Sequence, residues 1–503
     1  MSLIQVTDLS FTYEGSSDPV FEHATFQLDT DWKLGFTGRN GRGKTTFLNL
    51  LMNRMEYTGS IVSNVTFDYF PYEVEDKEAQ TLDIINSILD DCPYWEIKRE
   101  LTKLKVSEDV LYRPYNTLSN GERTKVLLAA LFLREGNFLL IDEPTNHLDR
   151  EGRELVSQYL NGKKGFILVS HDRKFLDDSV DHILSINRAD IEIQKGNFSV
   201  WYENRQRKDQ YEQSENERLK KDIRHLEAAA RQSGEWADKV ESTKIGKKSM
   251  VHEKSIDTRA YVGEKSRRMQ MRRKNLERRQ NQAIDDKKGL LKNIEEAEDL
   301  KLYPLTHHSS RLLVLKEVVP FYQGPVCEPV SLSLEQGQRV SLQGKNGCGK
   351  TSILKLIMGN QAAGDPIDYQ GTIETASGIK ISYVSQDTSF LKGDLTEYGK
   401  QWGVEDSLFK ALLRKLDFSR EQFQKPMETF SEGQKKKVLI ARSLCEQAHL
   451  YIWDEPLNFI DVYSRIQIEN LILKFQPAML LVEHDEFFTQ NVGAEPVTVL
   501  SSY

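Results

Sequence analysis

The sequence predicts an α/β protein built from two like halves joined by a long antiparallel α-helical hairpin. Three observations carry that prediction. A glycine-rich motif occurs twice, as "GRNGRGKTT" from Gly38 and "GKNGCGKTS" from Gly344. The same further segments follow each copy in the same order: "TLSNGERTKVLLAALFL", "NFLLIDEPTNHLD" and "FILVSHD" in one half, "TFSEGQKKKVLIARSL", "LYIWDEPLNFID" and "MLLVEHD" in the other. Between the halves, from about Phe198 to Leu300, the chain turns highly polar without becoming rich in Gly or Pro, which is the composition of an exposed helix rather than of a loose tether. The expected division is 1–197, 198–300 and 301–503. A chain of 503 residues also exceeds what one hydrophobic core usually organises.

Each glycine-rich copy fits G-x-x-x-x-G-K-[ST], and phosphate chemistry explains the spelling. The glycines let the backbone curl so that its N–H groups face phosphate oxygens at a helix N-terminus, the Lys reaches the β/γ-phosphates, and the Thr hydroxyl helps hold Mg²⁺. The first copy supplies Gly38, Asn40, Gly41, Gly43, Lys44, Thr45 and Thr46, the second Gly344, Asn346, Gly347, Gly349, Lys350, Thr351 and Ser352. Apolar stretches ("DWKLGFTG", "QRVSLQG") precede the loops and helix-like ones ("TFLNLLM", "SILKLIM") follow. The runs "FLLI" and "LYIW" suit buried parallel strands, whose C-terminal ends place Asp142 and Asp454 near a nucleotide-bound Mg²⁺. Glu143 and Glu455, one residue further, are the natural polarisers of an attacking water.

These motifs resemble the ATP-binding cassette family, with "LSNGE" and "FSEGQ" as its signature sequences and His171 and His484 as its switch histidines. The resemblance implies head-to-tail cassettes, so that each ATP lies between one phosphate loop and the other half's signature. One site would pair Gly38 to Thr45 with Ser431, Glu432, Gly433 and Gln434. The other would pair Gly344 to Thr351 with Ser119, Asn120, Gly121 and Glu122. It also implies that Tyr13 and Tyr322 offer an aromatic face to adenine, and that Thr45, Asp142, Thr351, Asp454 and Gln386 serve the metal. At the place of Gln386 in "YVSQ" the first half has Tyr72 in "YFPY"; tyrosine is a poorer carbonyl-type ligand, so the two sites are not expected to be equivalent. With both cassettes on one chain, the expected state is a monomer with intramolecular pairing.

The polar middle has its own pattern. Leu219, Ile223, Leu226 and Ala230 recur at helical spacing, and Met269, Leu276, Ala283, Leu290 and Ala297 fall every seven residues, so two helices with narrow apolar seams are expected to pair. About 40 residues per helix would span roughly 60 Å. Gly246 to Asp257 lacks the periodicity and would be the tip. From Lys239 to Arg279 there are fourteen Lys or Arg against five Asp or Glu, in a chain whose formal net charge is −8. So concentrated a positive charge, with few anions for internal pairing, suits a phosphate backbone. Lys244, Lys247, Lys248, Arg267, Arg268, Arg272, Arg273 and Lys274 are the candidate RNA contacts.

No apolar run approaches the roughly 20 residues of a membrane span, and the N-terminus lacks a basic region followed by an apolar one; the cytoplasm is the expected location. The four cysteines form no CxxC pair, which speaks against a zinc site or a disulfide framework. Two cassettes, a charged helical linker and no membrane domain resemble the ABC-F translation factors. The segments "SGEWADKVESTKIGKK", "RAYVGEKSRRM" and "WDEPLNFID" are similar to the Lsa/Vga branch of antibiotic-resistance ribosome-protection proteins. That resemblance implies an ATPase that binds the ribosome (large-subunit rRNA and P-site tRNA), enters the tRNA exit site and protects the peptidyl-transferase region from lincosamides, streptogramins A and pleuromutilins. A general translation factor without a drug role is the alternative. A DNA-repair ATPase ranks lower because the chain has no CxxC hook, and a transporter ATPase lower still because such a subunit has no reason to carry the basic hairpin.

Overall fold

The computed structural model describes residues 2–14, 19–39, 41, 43–89, 92–134, 136–146, 148–186, 191–242, 278, 304–359, 367–416, 418–419 and 421–502. Two compact units emerge, one comprising Met1–Trp201 with Asp299–Tyr503 and the other Tyr202–Glu298.

Within the first unit the two halves repeat one plan. In the N-terminal half, six strands run in the spatial order Thr66–Phe70, Asn137–Asp142, Phe166–Val169, Lys33–Thr37, His182–Ile186, Ile191–Lys195. All pairings are parallel except the last. The C-terminal half has the all-parallel order Ile381–Val384, Leu450–Asp454, Met479–Val482, Arg339–Gln343, Glu495–Thr498. Helices cover both faces of such sheets, so their inner strands carry continuous apolar runs; every residue of Phe166–Val169 and of Met479–Val482 is buried. A three-stranded antiparallel sheet accompanies each, Phe21–Asp29 / Leu3–Phe11 / Thr58–Val62 and Val330–Glu335 / Arg311–Phe321 / Asp368–Thr375.

The strand Lys33–Thr37 lies inside its sheet and leads into a loop and then the helix Lys44–Leu51; Arg339–Gln343 leads likewise into Lys350–Met358. Ligands of parallel sheets bind beyond the C-terminal strand ends, which is where both glycine-rich loops stand. Gly43 and Gly349 cap these helices at φ 92° and 94°. A Cβ at Gly43 would also come within 2.4 Å of the Val20 side chain, so both backbone angle and space require glycine there.

A 45-residue helix, Phe198–Ser242, begins where the polar middle of the sequence begins. Its first turn is capped: the Asp177 carboxylate accepts from the Ser199 N–H at 2.7 Å and the Asn197 side chain from the Val200 N–H at 3.1 Å. Phe198 and Trp201 are buried, and Trp201 meets the Tyr463 ring edge to face at 6.4 Å. Further along, Leu219 is half-buried and Ile223 buried, as an apolar seam requires. The expected descending helix apart from Arg278, the tip 246–257 and the candidate RNA contacts Lys244, Lys247, Lys248, Arg267, Arg268, Arg272, Arg273 and Lys274 lie outside the described residues, as does Asn40.

Candidate functional site

Each phosphate loop faces a cavity completed by the other half. The first, about 400 Å³, is lined by Gly41, Lys44, Thr45, Asp142, Glu143 and His171 from the N-terminal half, and by Ser431, Glu432, Gly433, Gln434, Lys437 and Phe459 from the C-terminal half. The second, about 910 Å³, collects Tyr322, Asn346, Gly347, Gly349, Lys350, Thr351, Ser352, Gln386, Glu455 and His484 with Ser119, Asn120, Gly121 and Glu122.

The signature serines open helices that aim at these cavities. Ser119 caps Asn120–Leu131 and Ser431 caps Glu432–Cys445, each in a capping box closed by Glu122 or Gln434 three residues on. The positive ends of the helix dipoles therefore face where phosphates would lie. The loop lysines stretch back across their own turns: Lys44 Nζ donates to the Gly38 carbonyl at 2.7 Å, Lys350 Nζ to the carbonyls of Gly344 and Lys345, both at 2.8 Å. Tyr13 and Tyr322 keep exposed rings, and their hydroxyls bond Thr46 Oγ1 at 2.6 Å and Ser352 Oγ at 3.1 Å. Those bonds hold each ring beside the first turn of the phosphate-loop helix.

Residues for a cation are present in both sites. Asp454 is fully buried and neither carboxylate oxygen has a hydrogen-bond partner; burial and the neighbouring Glu455 push its pKa up to about 6, against Thr351, Lys436 and Lys350. Unsatisfied carboxylate oxygens beside a threonine hydroxyl suit a hard, oxygen-seeking ion such as Mg²⁺. In the first site Asp142 Oδ2 already accepts from Thr45 Oγ1 at 3.1 Å and from the Tyr69 hydroxyl at 3.0 Å.

Glu143 and Glu455 both adopt left-handed backbone conformations, φ 50° and 45°, which are uncommon for non-glycine residues. Their surroundings differ. Glu455 Oε2 accepts from Gln386 Nε2 and from Asn458 Nδ2, each at 2.8 Å, with His484 Nε2 3.7 Å from Oε1. Burial opposes ionisation, but His484, Lys350 and Gln386 outweigh it and lower the Glu455 pKa. Glu143 Oε1 lies buried without a hydrogen bond, 3.4 Å from His171 Nε2. Burial and Asp142 push Glu143 up to about 8, while burial, Lys44 and Arg465 hold the His171 imidazole well below its ordinary pKa. Strand register puts Tyr72 at the position in its half that Gln386 holds in the other, since Phe70 pairs with Ile141 as Val384 pairs with Trp453; Tyr72 is 37% exposed.

Several contributors escape motif reading. Asn458 has a counterpart in Asn146, and that coincidence of "DEPTN" with "DEPLN" was a usable signal. Lys437 Nζ forms a buried ion pair with Asp461 at 2.8 Å. Between the halves, Arg173 forks onto Glu469, Lys174 Nζ bonds Glu486 at 2.6 Å, Lys345 pairs with Glu151 at 3.3 Å, and the Arg39 guanidinium stands 5.6 Å from the Tyr463 ring centre.

A Cβ added at Gly433 would lie 2.5 Å from the Phe459 carbonyl oxygen, and backbone cannot give way as a side chain can. Gly433→Ala is therefore expected to displace the signature that completes the first site and lower steady-state ATP hydrolysis about 10- to 100-fold. Equilibrium dialysis should show nucleotide still bound, because Lys44 and its loop belong to the other half.

Fold and sites together define a chain of two nucleotide-binding cassettes, each completing the other's site. The family model described as ABC transporter matches residues 21–146 and 327–458, and the chain belongs to that family, whose general reaction is ATP hydrolysis. It is 29% identical over 499 residues to the ribosome protection protein VmlR of Bacillus subtilis, covering 97% of this chain and 85% of that one. It is 25% identical to the putative ATP-binding protein YdiF of the same organism, covering 100% and 81%. Among solved structures it matches the archaeal ribosome recycling factor aABCE1, crystallised with the ribosomal stalk protein aP1, at TM-score 0.61 and 17% identity, covering 98% and 90%. At that identity the likeness speaks for the fold. Among the described residues no helix is long and apolar enough to cross a membrane.

Proposed function

We propose that this chain is a ribosome-binding ATPase of the ABC-F type that acts in the tRNA exit site and protects the peptidyl-transferase region from antibiotics, the lincosamide, streptogramin A and pleuromutilin classes being the expected ones. The observation that carries the reading is the likeness to a ribosome protection protein across 97% of the chain. It spans both cassettes and the helix between them.

Lys44 and Lys350 hold β/γ-phosphate oxygens, and the signature helices close on the same phosphates from the opposite half. Glu143 and Glu455 orient the attacking water, with His171 and His484 beside them. When bound, Mg²⁺ would be held by Thr45 and Asp142 or by Thr351 and Asp454, with Gln386 near it, and would neutralise charge on the transferred phosphoryl group. Tyr13 and Tyr322 offer their rings to adenine. Closure of the cassettes around two ATP molecules favours the ribosome-bound form, and hydrolysis releases it. Large-subunit rRNA and P-site tRNA are the partners, which places the protein in the cytoplasm as a monomer.

The test separates the basic segment from the tip. Neutralising Arg267, Arg268, Arg272 and Arg273 together is expected to weaken ribosome co-sedimentation and make its salt dependence shallower, because each phosphate contact contributes to the slope. Shortening 246–257 should leave much of that binding but abolish drug tolerance in expressing cells. An unchanged salt slope would refute the phosphate contacts. Full tolerance after tip shortening would favour a factor that acts without reaching the drug site.

A further inference from the structure

Lys436 is 2% exposed on the helix Glu432–Cys445, yet among the described residues it forms no ion pair. Its Nζ instead donates to two carbonyls, Ser385 O at 3.0 Å and Glu455 O at 3.1 Å. Burying an ammonium group on neutral acceptors is costly, and desolvation lowers its pKa against the pull of Asp454, Glu455, Glu483 and Glu432. A position that exists only to pack would be better filled by an apolar side chain.

The two carbonyls explain its presence. Ser385 precedes Gln386, and Glu455 is the residue to which Gln386 donates. One ammonium thus ties the backbone before the glutamine to the backbone of the glutamate. Among the described residues, the left-handed Glu455 is held on both sides of its backbone, where the equally left-handed Glu143 is held on one. Its N–H is anchored on Val482 O at 2.9 Å, and Lys436 anchors its carbonyl. In the first cassette Glu143 has the same N–H anchor, on Val169 O at 2.9 Å, but Thr124 stands where the second has Lys436, too short to provide the long donor. Tyr72 stands where the second has Gln386. The two halves differ at both places together, and in the half that lacks the pair the glutamate has an unsatisfied Oε1.

We infer that Lys436 is a positioning residue for ATP turnover in the second cassette, fixing Glu455 and Gln386 relative to one another. The inference rests on the proposed role of Glu455 and deepens it. Because Lys436 shares a helix with the signature that completes the first site, the experiment must tell the two sites apart.

Turnover is measured on the full chain in a Glu143→Gln background, which leaves the second site to be read, and in a Glu455→Gln background, which leaves the first. In the former, Lys436→Met is expected to lower kcat about 10- to 100-fold with KM for ATP within about twofold of its parent. Lys436→Arg, which keeps a long cationic donor, should recover most of that loss. In the Glu455→Gln background Lys436→Met should leave the residual rate unchanged. The inference is overturned if kcat survives Lys436→Met in the Glu143→Gln background, if the loss appears only in the Glu455→Gln background, or if Met and Arg variants lose kcat, KM and thermal midpoint alike. Should adding Glu455→Gln to the Glu143→Gln background leave its turnover intact, the role of Glu455 itself fails, which is a distinct result.

Discussion

Replacing Glu143 and Glu455 together by Gln is expected to abolish ATP turnover while leaving nucleotide bound. Gln preserves length and shape and can still accept a hydrogen bond through its carbonyl, but it cannot take a proton from the attacking water. Positioned general bases contribute about 10²–10⁴-fold, so the double variant should fall by at least that range's lower bound in steady-state phosphate release. The phosphate grip is untouched, because Lys44, Lys350 and the capped signature helices remain. The same variant should therefore accumulate on ribosomes in ATP, having closed without a route to reopen. Near-normal hydrolysis would reject the roles of both glutamates. Abolished hydrolysis with wild-type co-sedimentation would reject release by hydrolysis alone.

Loss of the Arg465 fork should be the most destabilising single change. Arg465 Nη1 bonds Asp485 Oδ2 at 2.8 Å, while Nε and Nη2 reach the carbonyls of Ile460 and Leu457, both at 2.9 Å. Asp485 is fully buried and caps the next helix through the Phe488 N–H at 2.9 Å. Arg465→Met strands that carboxylate, and breaking a buried pair from one side costs about 3–5 kcal/mol; chemical denaturation of the full chain measures it. The pH dependence supplies the sign. Burial alone would raise the Asp485 pKa, but Arg465 and Arg173 outweigh it and lower it. A lowered folded-state pKa adds stability that is complete above the unfolded value, near about 3.9, and is lost as pH falls through the folded one. Without Arg465 burial dominates and the sign reverses, so the variant's deficit should be larger at neutral pH than near pH 4.

The ATP chemistry was legible because phosphate binding restricts residue choice so tightly. Gly43, Lys44, Asp142 and Ser119 are each required by backbone angle, reach, charge or capping, and their order along the chain survives in both halves. What escaped was set by burial rather than by motif. "EGQKKKV" reads as a solvated lysine run, but its three lysines separate completely: Lys435 pairs with Glu432 at 3.1 Å near the surface, Lys436 is sunk onto two carbonyls, and Lys437 meets Asp461 inside. Helical periodicity assigns each residue a direction, but not the atoms it meets there. The charged forks Arg153–Asp172 and Arg465–Asp485, both buried, were half visible, since an Arg four residues after Asp149 or Asp461 and an Asp after each switch histidine recur in both halves. The start of the interdomain helix was legible at Phe198 because polarity changes there without Gly or Pro.

The edge-to-face meeting of Trp201 with Tyr463 has a spectroscopic consequence. Trp201 comes from the first turn of the helix Phe198–Ser242, whereas Tyr463 follows Asp461 in the C-terminal half and also stands beside Arg39 of the first phosphate loop. Excitation absorbed by a tyrosine passes efficiently to an indole at such separations, and indole emission shifts with local polarity. Of the chain's other tryptophans, Trp453 is sealed in the core, Trp32 stacks on His182, Trp95 and Trp402 lie at the surface, and Trp236 sits further along the helix Phe198–Ser242, so Trp236 is replaced before the signal is read. Trp201 is thus an intrinsic optical gauge of the seam between the cassettes, able to register in real time, without any added label, when that seam opens or tightens.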